Sequence, residues 1–255
     1  MLISVKNIDV IYGKKNSKVV ALDKVSLDVE EGEFLTIMGK SGCGKSTLLN
    51  VLATLRLPTG GQILFDGADL FKKNDKELAK FRNENIGFVV QHFALINEKT
   101  VYENIALPLR YAKVNNSEIK ERVESLLEKL ELSAKRNKYP FELSGGQCQR
   151  VAIARALVTK PKLILADEPT GALDEENGKN IMDLLKLVNQ QGTTVVMVTH
   201  DSDFSKYGDR CIHMKDGKIT YATSNKSVVK VDSNRKHRVK MQLKIIDISM
   251  FHVII

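Results

Sequence analysis

Nine residues, Gly39-Lys40-Ser41-Gly42-Cys43-Gly44-Lys45-Ser46-Thr47, constrain this chain more than any other stretch. They fit the Gly-x-x-x-x-Gly-Lys-Ser/Thr pattern, whose backbone N–H groups cradle the phosphates of ATP or GTP. The pattern requires a strand before it and a helix after it. Phe34-Leu35-Thr36-Ile37-Met38 reads as a short buried strand, and Ser46 to Leu52 has helical apolar spacing. Gly39, Gly42 and Gly44 let the loop turn without Cβ clashes, and the new helix aims its positive end at the phosphates. Lys45 is then expected to reach the β- and γ-phosphates and the Ser46 hydroxyl to ligate Mg²⁺. The alternative is a glycine-rich turn ahead of an ordinary helix, which these flanks disfavour. Cys43 reads as a small loop residue whose thiol lies near the phosphates and is open to oxidation.

Around that loop, apolar strands alternate with helices, the pattern of a mostly parallel sheet covered on both faces. Leu163 to Ala166 and Thr194 to Thr199 read as buried strands; Gly145 to Thr159, stopped by Pro161, and Glu175 to Gln191, closed by Gly192, read as helices. Ile3 to Asp9 and Ala21 to Val29 alternate and end in turn formers, so an antiparallel N-terminal flap is expected. Cys211 to Met214 and Ile219 to Tyr221 flank Asp216-Gly217, a hairpin signal. The stretch from about 89 to 146 is mostly helical and reads as an inserted subdomain. Within it, Ser117 to Leu132 is amphipathic, with Ser117 as a plausible N-cap and Ile119, Val123, Leu126, Leu127 and Leu130 on one face. The expected fold is thus an α/β phosphate-loop NTPase core over residues 1–223, with a tail at 224–255.

The carboxylates Asp167 and Glu168 end the strand from Leu163, where ligand sites of parallel sheets lie. An Asp there can hold Mg²⁺ through water, and a neighbouring Glu can take a proton from an attacking water. A turn cap would also satisfy Asp-Glu-Pro-Thr; the phosphate loop favours the chemical reading.

Leu143-Ser144-Gly145-Gly146-Gln147, followed by Gln149-Arg150 and placed between the phosphate loop and the Asp167-Glu168 strand, resembles the signature of the ATP-binding cassette (ABC) ATPases. Gln91 resembles that family's Q-loop, Ala172-Leu173-Asp174 its D-loop, His200 its switch histidine and Tyr12 the aromatic on which adenine stacks. The resemblance spans roughly residues 2 to 222. It implies ATP hydrolysis with Mg²⁺ held by Ser46, Gln91 and the water-linked Asp167, with Glu168 polarising water and His200 sensing the γ-phosphate. It also implies a homodimer on ATP binding, in which the Ser144 segment meets nucleotide held by the other copy. Val101 to Leu109 and Ala166 to Asp174 are similar to the bacterial lipoprotein-release, macrolide-export and bacitracin-type export group, in which a separate permease is pushed through the region near the Q-loop, here Phe93 to Leu109. Gly60 stands where a Ser is common.

Bulk properties narrow the rest. The 255 residues are 43% apolar and 27% charged, with no run approaching the roughly 18 apolar residues of a membrane span and no signal-peptide layout at the start. A cytoplasmic chain, peripheral on the inner face of the cell membrane, is expected. Cys43, Cys148 and Cys211 lack disulfide or zinc spacing. Of the net charge of +8, the residues from Ser224 onward carry +5, which suits acidic lipid, nucleic acid or a solvated tail. The tail's apolar end, Met241 to Ile255, suits a dimer or permease contact or disorder. The alternative to transport is an ABC ATPase acting on nucleic acid or ribosomes, but such members carry a long coiled coil or two cassettes, so no nucleic acid is expected. A phosphate-loop kinase or GTPase would leave Ser144 to Gln147 unexplained and lacks an Asn-Lys-x-Asp.

Overall fold

The computed structural model describes residues 1–13 and 17–224, so the basic and apolar tail from 225 to 255 lies outside the described residues. Six strands form the larger sheet: β3 (Phe34–Gly39), β6 (Ile86–Val90), β7 (Leu163–Asp167), β8 (Thr194–Val198), β9 (Arg210–Lys215) and β10 (Lys218–Ser224). Their order is β10-β9-β3-β8-β7-β6, parallel throughout except for the β9–β10 hairpin. The Asp216-Gly217 hairpin expected from sequence is this pair, with both turn residues at positive φ.

The flap is larger than two strands. β1 (Ile3–Tyr12) pairs with β2 (Val19–Val29) and also with β4 (Gly60–Phe65), which pairs with the short β5 (Ala68–Asp69). β4 opens on Gly60-Gly61, and Gly61 sits at φ 91 with the backbone of Asn7 so close that a Cβ would lie 2.4 Å from its carbonyl oxygen. Glycine here permits close strand approach, whereas in sequence the pair reads as a turn.

Alternation along the central strands sorts the core into two layers. Leu35, Ile37, Leu163, Leu165, Val196 and Val198 point to one face, where they join the flap and α1 (Lys45–Leu52) through Leu48 and Leu49. Phe34, Ile164, Ala166, Val195 and Met197 point to the other, against α5 (Gly145–Leu157) and α6 (Glu175–Gln190) through Ile153, Ile181 and Leu185. Each such fully buried side chain contributes about 1.5–3 kcal/mol relative to exposure. A third cluster joins α3 (Val101–Tyr111) and α4 (Asn116–Lys129) to the outer side of α5 through Ile105, Leu109, Val123, Leu127, Val151 and Ala154.

Helix α4 begins earlier than its sequence suggests. Asn115, not Ser117, is the N-cap, its side-chain oxygen accepting from the Glu118 N–H at 2.9 Å. Two further elements follow local caps: α2 (Asp75–Asn85) opens on a reciprocal Asn74–Glu77 pair, and the four-residue α7 (Ser202–Ser205) on Asp201. Among the described residues no helix is long and apolar enough to cross a membrane.

Candidate nucleotide site

β3 delivers the chain to the loop at Gly39, and the loop is shaped by what crowds it. Gly42 and Gly44 have φ of 78° and 105°. A Cβ on Gly44 would lie 2.5 Å from the Ala21 carbonyl oxygen of β2, and one on Gly39 would lie 2.4 Å from that of Met214. The Gly217 N–H donates to the Cys43 carbonyl at 3.0 Å, while the Gly217 carbonyl accepts from the Asp23 N–H at 2.9 Å, so hairpin and flap grip the loop together. Lys40, Ser41 and Gly42 form its exposed crest and the Cys43 thiol faces inward, buried.

Helix α1 starts on Gly44 with no side-chain cap, which leaves the first-turn N–H groups of Lys45, Ser46 and Thr47 outside the helical ladder. Only 6% of Lys45 is exposed, and its Nζ donates to the carbonyls of Gly39 at 2.8 Å and Lys40 at 3.0 Å. The ammonium is thus held inside the loop's own curve.

The neighbouring strand ends complete the arrangement. Because β3, β8, β7 and β6 lie side by side and parallel, their carboxyl ends bring the loop, Thr199-His200, Asp167-Glu168 and Gln91 to one edge. The Ser46 hydroxyl donates to Asp167 Oδ1 at 3.2 Å. Burial pushes the Asp167 carboxyl above its usual range, against the Ser46 hydrogen bond, with the Glu168 charge adding to the rise and Lys45 opposing it. Glu168 sits in the left-handed region at φ 47, its N–H donating to the Val198 carbonyl at 3.0 Å and its carbonyl accepting from the Gly171 N–H at 3.0 Å. Its carboxylate lies 3.2 Å from His200 Nδ1. The Gln91 side chain lies against Gly171, where a Cβ would come within 2.6 Å of its Nε2. Glu168, Gly171, Asp174, Thr199 and His200 line a cavity of roughly 310 Å³.

Tyr12, at the end of β1, is part exposed and carries the Arg56 guanidinium over one ring face, 4.6 Å from the centroid. Ser144 is the N-cap of α5: its Oγ accepts from the Gln147 N–H at 3.3 Å, and Gln147 Oε1 accepts from the Ser144 N–H at 3.1 Å. Leu143 packs into the α3–α4 cluster, Gly145 lies beneath Leu173 with the Ala172 carbonyl close by, and Gly146 touches Asn177. Asp174 caps α6 through the Asn177 N–H at 2.8 Å, which holds its carboxyl below the usual range. The segments 143–147 and 172–174 are therefore neighbours of each other. Helix α5, which Ser144 caps, lies on the opposite face of the sheet from α1.

Two polar side chains of α5 make contacts that sequence reasoning did not assign: Gln149, quoted only as part of the signature, and Arg155, which it passed over. Gln149 is fully buried and its Nε2 donates to the Pro169 carbonyl at 2.6 Å. Arg155 donates to the carbonyls of Ala94 at 2.6 Å and Phe93 at 2.9 Å, pinning two successive left-handed residues just after Gln91, and burial lowers its pKa. An Arg within the otherwise apolar Val151 to Leu157 was the available signal.

Comparison with known proteins agrees with this geometry. Residues 22–171 match the family model described as ABC transporter. The chain is 47% identical over 218 residues to the uncharacterized ABC transporter ATP-binding protein MJ1508 of Methanocaldococcus jannaschii, covering 86% of this chain and 97% of that one. It is 43% identical to YknY of Bacillus subtilis, covering 89% and 99%. Against the macrolide export ATP-binding/permease protein MacB of Aggregatibacter actinomycetemcomitans it is 42% identical over 89% of its own length but only 35% of MacB. Among solved structures, a dimeric post-hydrolysis state of the ATP-binding cassette MJ0796 bound to ADP and Pi superposes with a TM-score of 0.82 at 42% identity, covering 89% of this chain and all of that one. This chain belongs to the ABC transporter family. It is an ATP-binding cassette, an ATPase whose α/β core and antiparallel flap are those expected from its sequence.

Proposed function

We propose that this chain is the ATP-hydrolysing subunit of an exporter, closing as a homodimer on ATP to drive a separate permease. The observation that carries the reading is the placement of α1 and α5 on opposite faces of one sheet. The loop at 39–47 leads into the helix on one face and Ser144 caps the helix on the other, so in this reading the two halves of the anion site meet when a second copy supplies one of them. The MJ0796 cassette is described as dimeric, which supports this reading.

Within such a site the uncapped N–H groups of α1 bind the phosphates and Tyr12 offers the ring face not covered by Arg56 to adenine. Lys45 exchanges the Gly39 and Lys40 carbonyls for β- and γ-phosphate oxygens. Ser46 and Asp167 fit a Mg²⁺ ion: two oxygen groups 3.2 Å apart beside the helix start, with Gln91 following the adjacent strand β6, suit an ion held mostly by phosphate and water. Such an ion, when bound, would supply positive charge against the β- and γ-phosphates. Glu168 accepts a proton from the attacking water, whose oxygen bonds to the γ-phosphorus as the bond to the β-phosphate oxygen breaks. His200, 3.2 Å from that carboxylate, holds the γ-phosphate and orients Glu168.

Residues 93–109 are the surface on which the permease pushes, fixed to α5 by Arg155. Residues 1–223 form the ATPase domain, with the helical part from about 89 to 146 as its subdomain. The cassette then sits peripherally on the inner face of the cell membrane. MacB is named as a macrolide exporter that joins cassette and permease, and by that likeness a peptide, antibiotic or lipid-linked compound is the cargo. The relatives reported are named as transporter cassettes, which leaves the nucleic-acid and ribosome alternative without support. The test is Glu168→Gln, which keeps size but not basicity: it should retain ATP and elute as a dimer, with turnover reduced by at least about 100-fold. Native turnover, or a monomer at saturating ATP, would refute the assignment.

A further inference from the structure

Gln149 does something the hydrolysis chemistry does not explain. It lies one turn into α5, wholly buried, yet makes a single hydrogen bond, from Nε2 to the Pro169 carbonyl; its Oε1 has no partner among the described residues. A carbonyl only accepts, so the amide's orientation is fixed. Burying a half-satisfied amide in a helix whose residues Cys148, Val151, Ala152 and Ile153 are also buried is unfavourable compared with an apolar side chain of the same shape. A residue placed so is kept for the one bond it makes.

That bond ends on the residue after Glu168. Pro169 has no N–H, so its carbonyl is the only backbone group by which the turn can be held at that position. The turn is strained, with Glu168 at φ 47, and its other ties run to β8 and to Gly171. The start of the same helix carries Ser144 to Gln147 and packs on Ala172, Leu173 and Asn177. From Ser144 to Gln149 is about 7.5 Å along a rigid helix, so the first turn cannot shift without carrying Gln149 with it.

We infer that Gln149 is a positioning residue coupling the two nucleotide sites of the dimer: docking of Ser144 on the phosphate bound by the partner copy sets, through the Gln149–Pro169 hydrogen bond, the turn that presents this chain's own Glu168. This rests on the sandwich dimer proposed above. Each site then informs the other through one helix, in addition to direct contact across the interface.

Gln149→Met, matched in length but without a donor, tests it in the full chain. Hydrolysis is followed against ATP concentration, with fluorescent-nucleotide binding, thermal melting and dimer trapping in the Glu168→Gln background alongside. The turnover number should fall by about tenfold or more while half-saturation changes little, as expected of a misplaced catalytic group. The Hill coefficient should drop from near 2 toward 1. Nucleotide binding and the trapped dimer should persist. Native turnover and an unchanged Hill coefficient with the dimer intact would overturn the coupling role alone, and so would a loss of turnover that merely tracks lost nucleotide binding. If Gln149→Met does not fold, Gln149→Leu gives the same readouts; if neither folds, the bond serves core stability and the coupling role falls. Failure of Glu168→Gln by itself to dimerise on ATP would remove the sandwich and this inference with it.

Discussion

Gly171→Ala tests how tightly the candidate site is built, because one methyl group would land on Gln91. A Cβ at 171 would stand 2.6 Å from Gln91 Nε2, 3.1 Å from Cδ and 3.2 Å from Cγ. Relaxed contacts of this kind begin at roughly 3.5 Å, so the amide must retreat by close to 1 Å. The backbone at 171 lies outside the left-handed region, so Ala itself is not strained there. A catalytic group misplaced by about 1 Å can cost up to 100-fold in rate. Turnover should therefore fall between about 10- and 100-fold, or roughly 1.4–2.7 kcal/mol in barrier. Folding should hardly change, since Ala in place of Gly gains about 0.4–1 kcal/mol through the unfolded chain and Gln91 is only half-buried. The assay is phosphate release at saturating ATP over a Mg²⁺ titration, with thermal melts of the same protein. Deeper loss is expected at low Mg²⁺, because Gln91 is the displaced group. Native turnover at every Mg²⁺ concentration would show that Gln91 need not stand where it does. A large drop in Tm would show instead that the contact is packing.

Ser144→Ala removes the Oγ that accepts from the Gln147 N–H, costing about 1 kcal/mol of stability as an N-cap, yet turnover should drop by about 100-fold with nucleotide binding retained; turnover falling no more than stability would leave Ser144 a cap and nothing else. Asp167→Asn should raise the Tm of the nucleotide-free protein at neutral pH. The folded Asp167 has its pKa raised above the ordinary 3.8, chiefly by burial, so the folded chain binds a proton that the unfolded chain releases, and stability falls as pH rises through that window. The gap between Asn variant and native protein should close as pH is lowered toward 3.8, and a gap independent of pH would contradict it.

The parts of this molecule that announce themselves in sequence are those with local causes. β3, β7 and β8 are nearly continuous apolar runs because both their faces are covered, and the glycine loop needs its residues in one order. β4 escaped because its evidence is non-local: Gly61 fits only against the backbone of Asn7 on β1, which nothing nearby reveals. Helix α2 buries only Leu78, so it has no apolar stripe to read, although the Asn74–Glu77 capping pair was present. The residues by themselves named the nucleotide motifs one by one, and only the family resemblance implied which of them share a site. That Ser46 reaches Asp167 and Glu168 reaches His200 follows from the strand order β3-β8-β7-β6, and connectivity alone does not set that order. The contacts of Gln149 and Arg155 lay hidden for a related reason, since the partner carbonyls are 20 residues distant for Gln149 and 61 and 62 for Arg155.

The site is a collection of locally unfavourable choices, and this explains why so much of the chain is needed to hold it. Glu168 occupies a left-handed conformation that costs a side-chain-bearing residue about 1–2 kcal/mol. Helix α1 forgoes a side-chain cap worth about 1 kcal/mol, which keeps its first N–H groups free for an anion. Asp167 is half-buried against the grain of its charge. None of these would persist in an isolated strand–loop–helix. What imposes them is distributed: β2 presses on Gly44, the β9–β10 turn binds Cys43, β8 ties the Glu168 N–H and α5 the Pro169 carbonyl. A small movement of the flap, the hairpin or α5 therefore reaches the phosphates or the carboxylate directly, so an enzyme assembled this way feels its partners wherever they touch those elements.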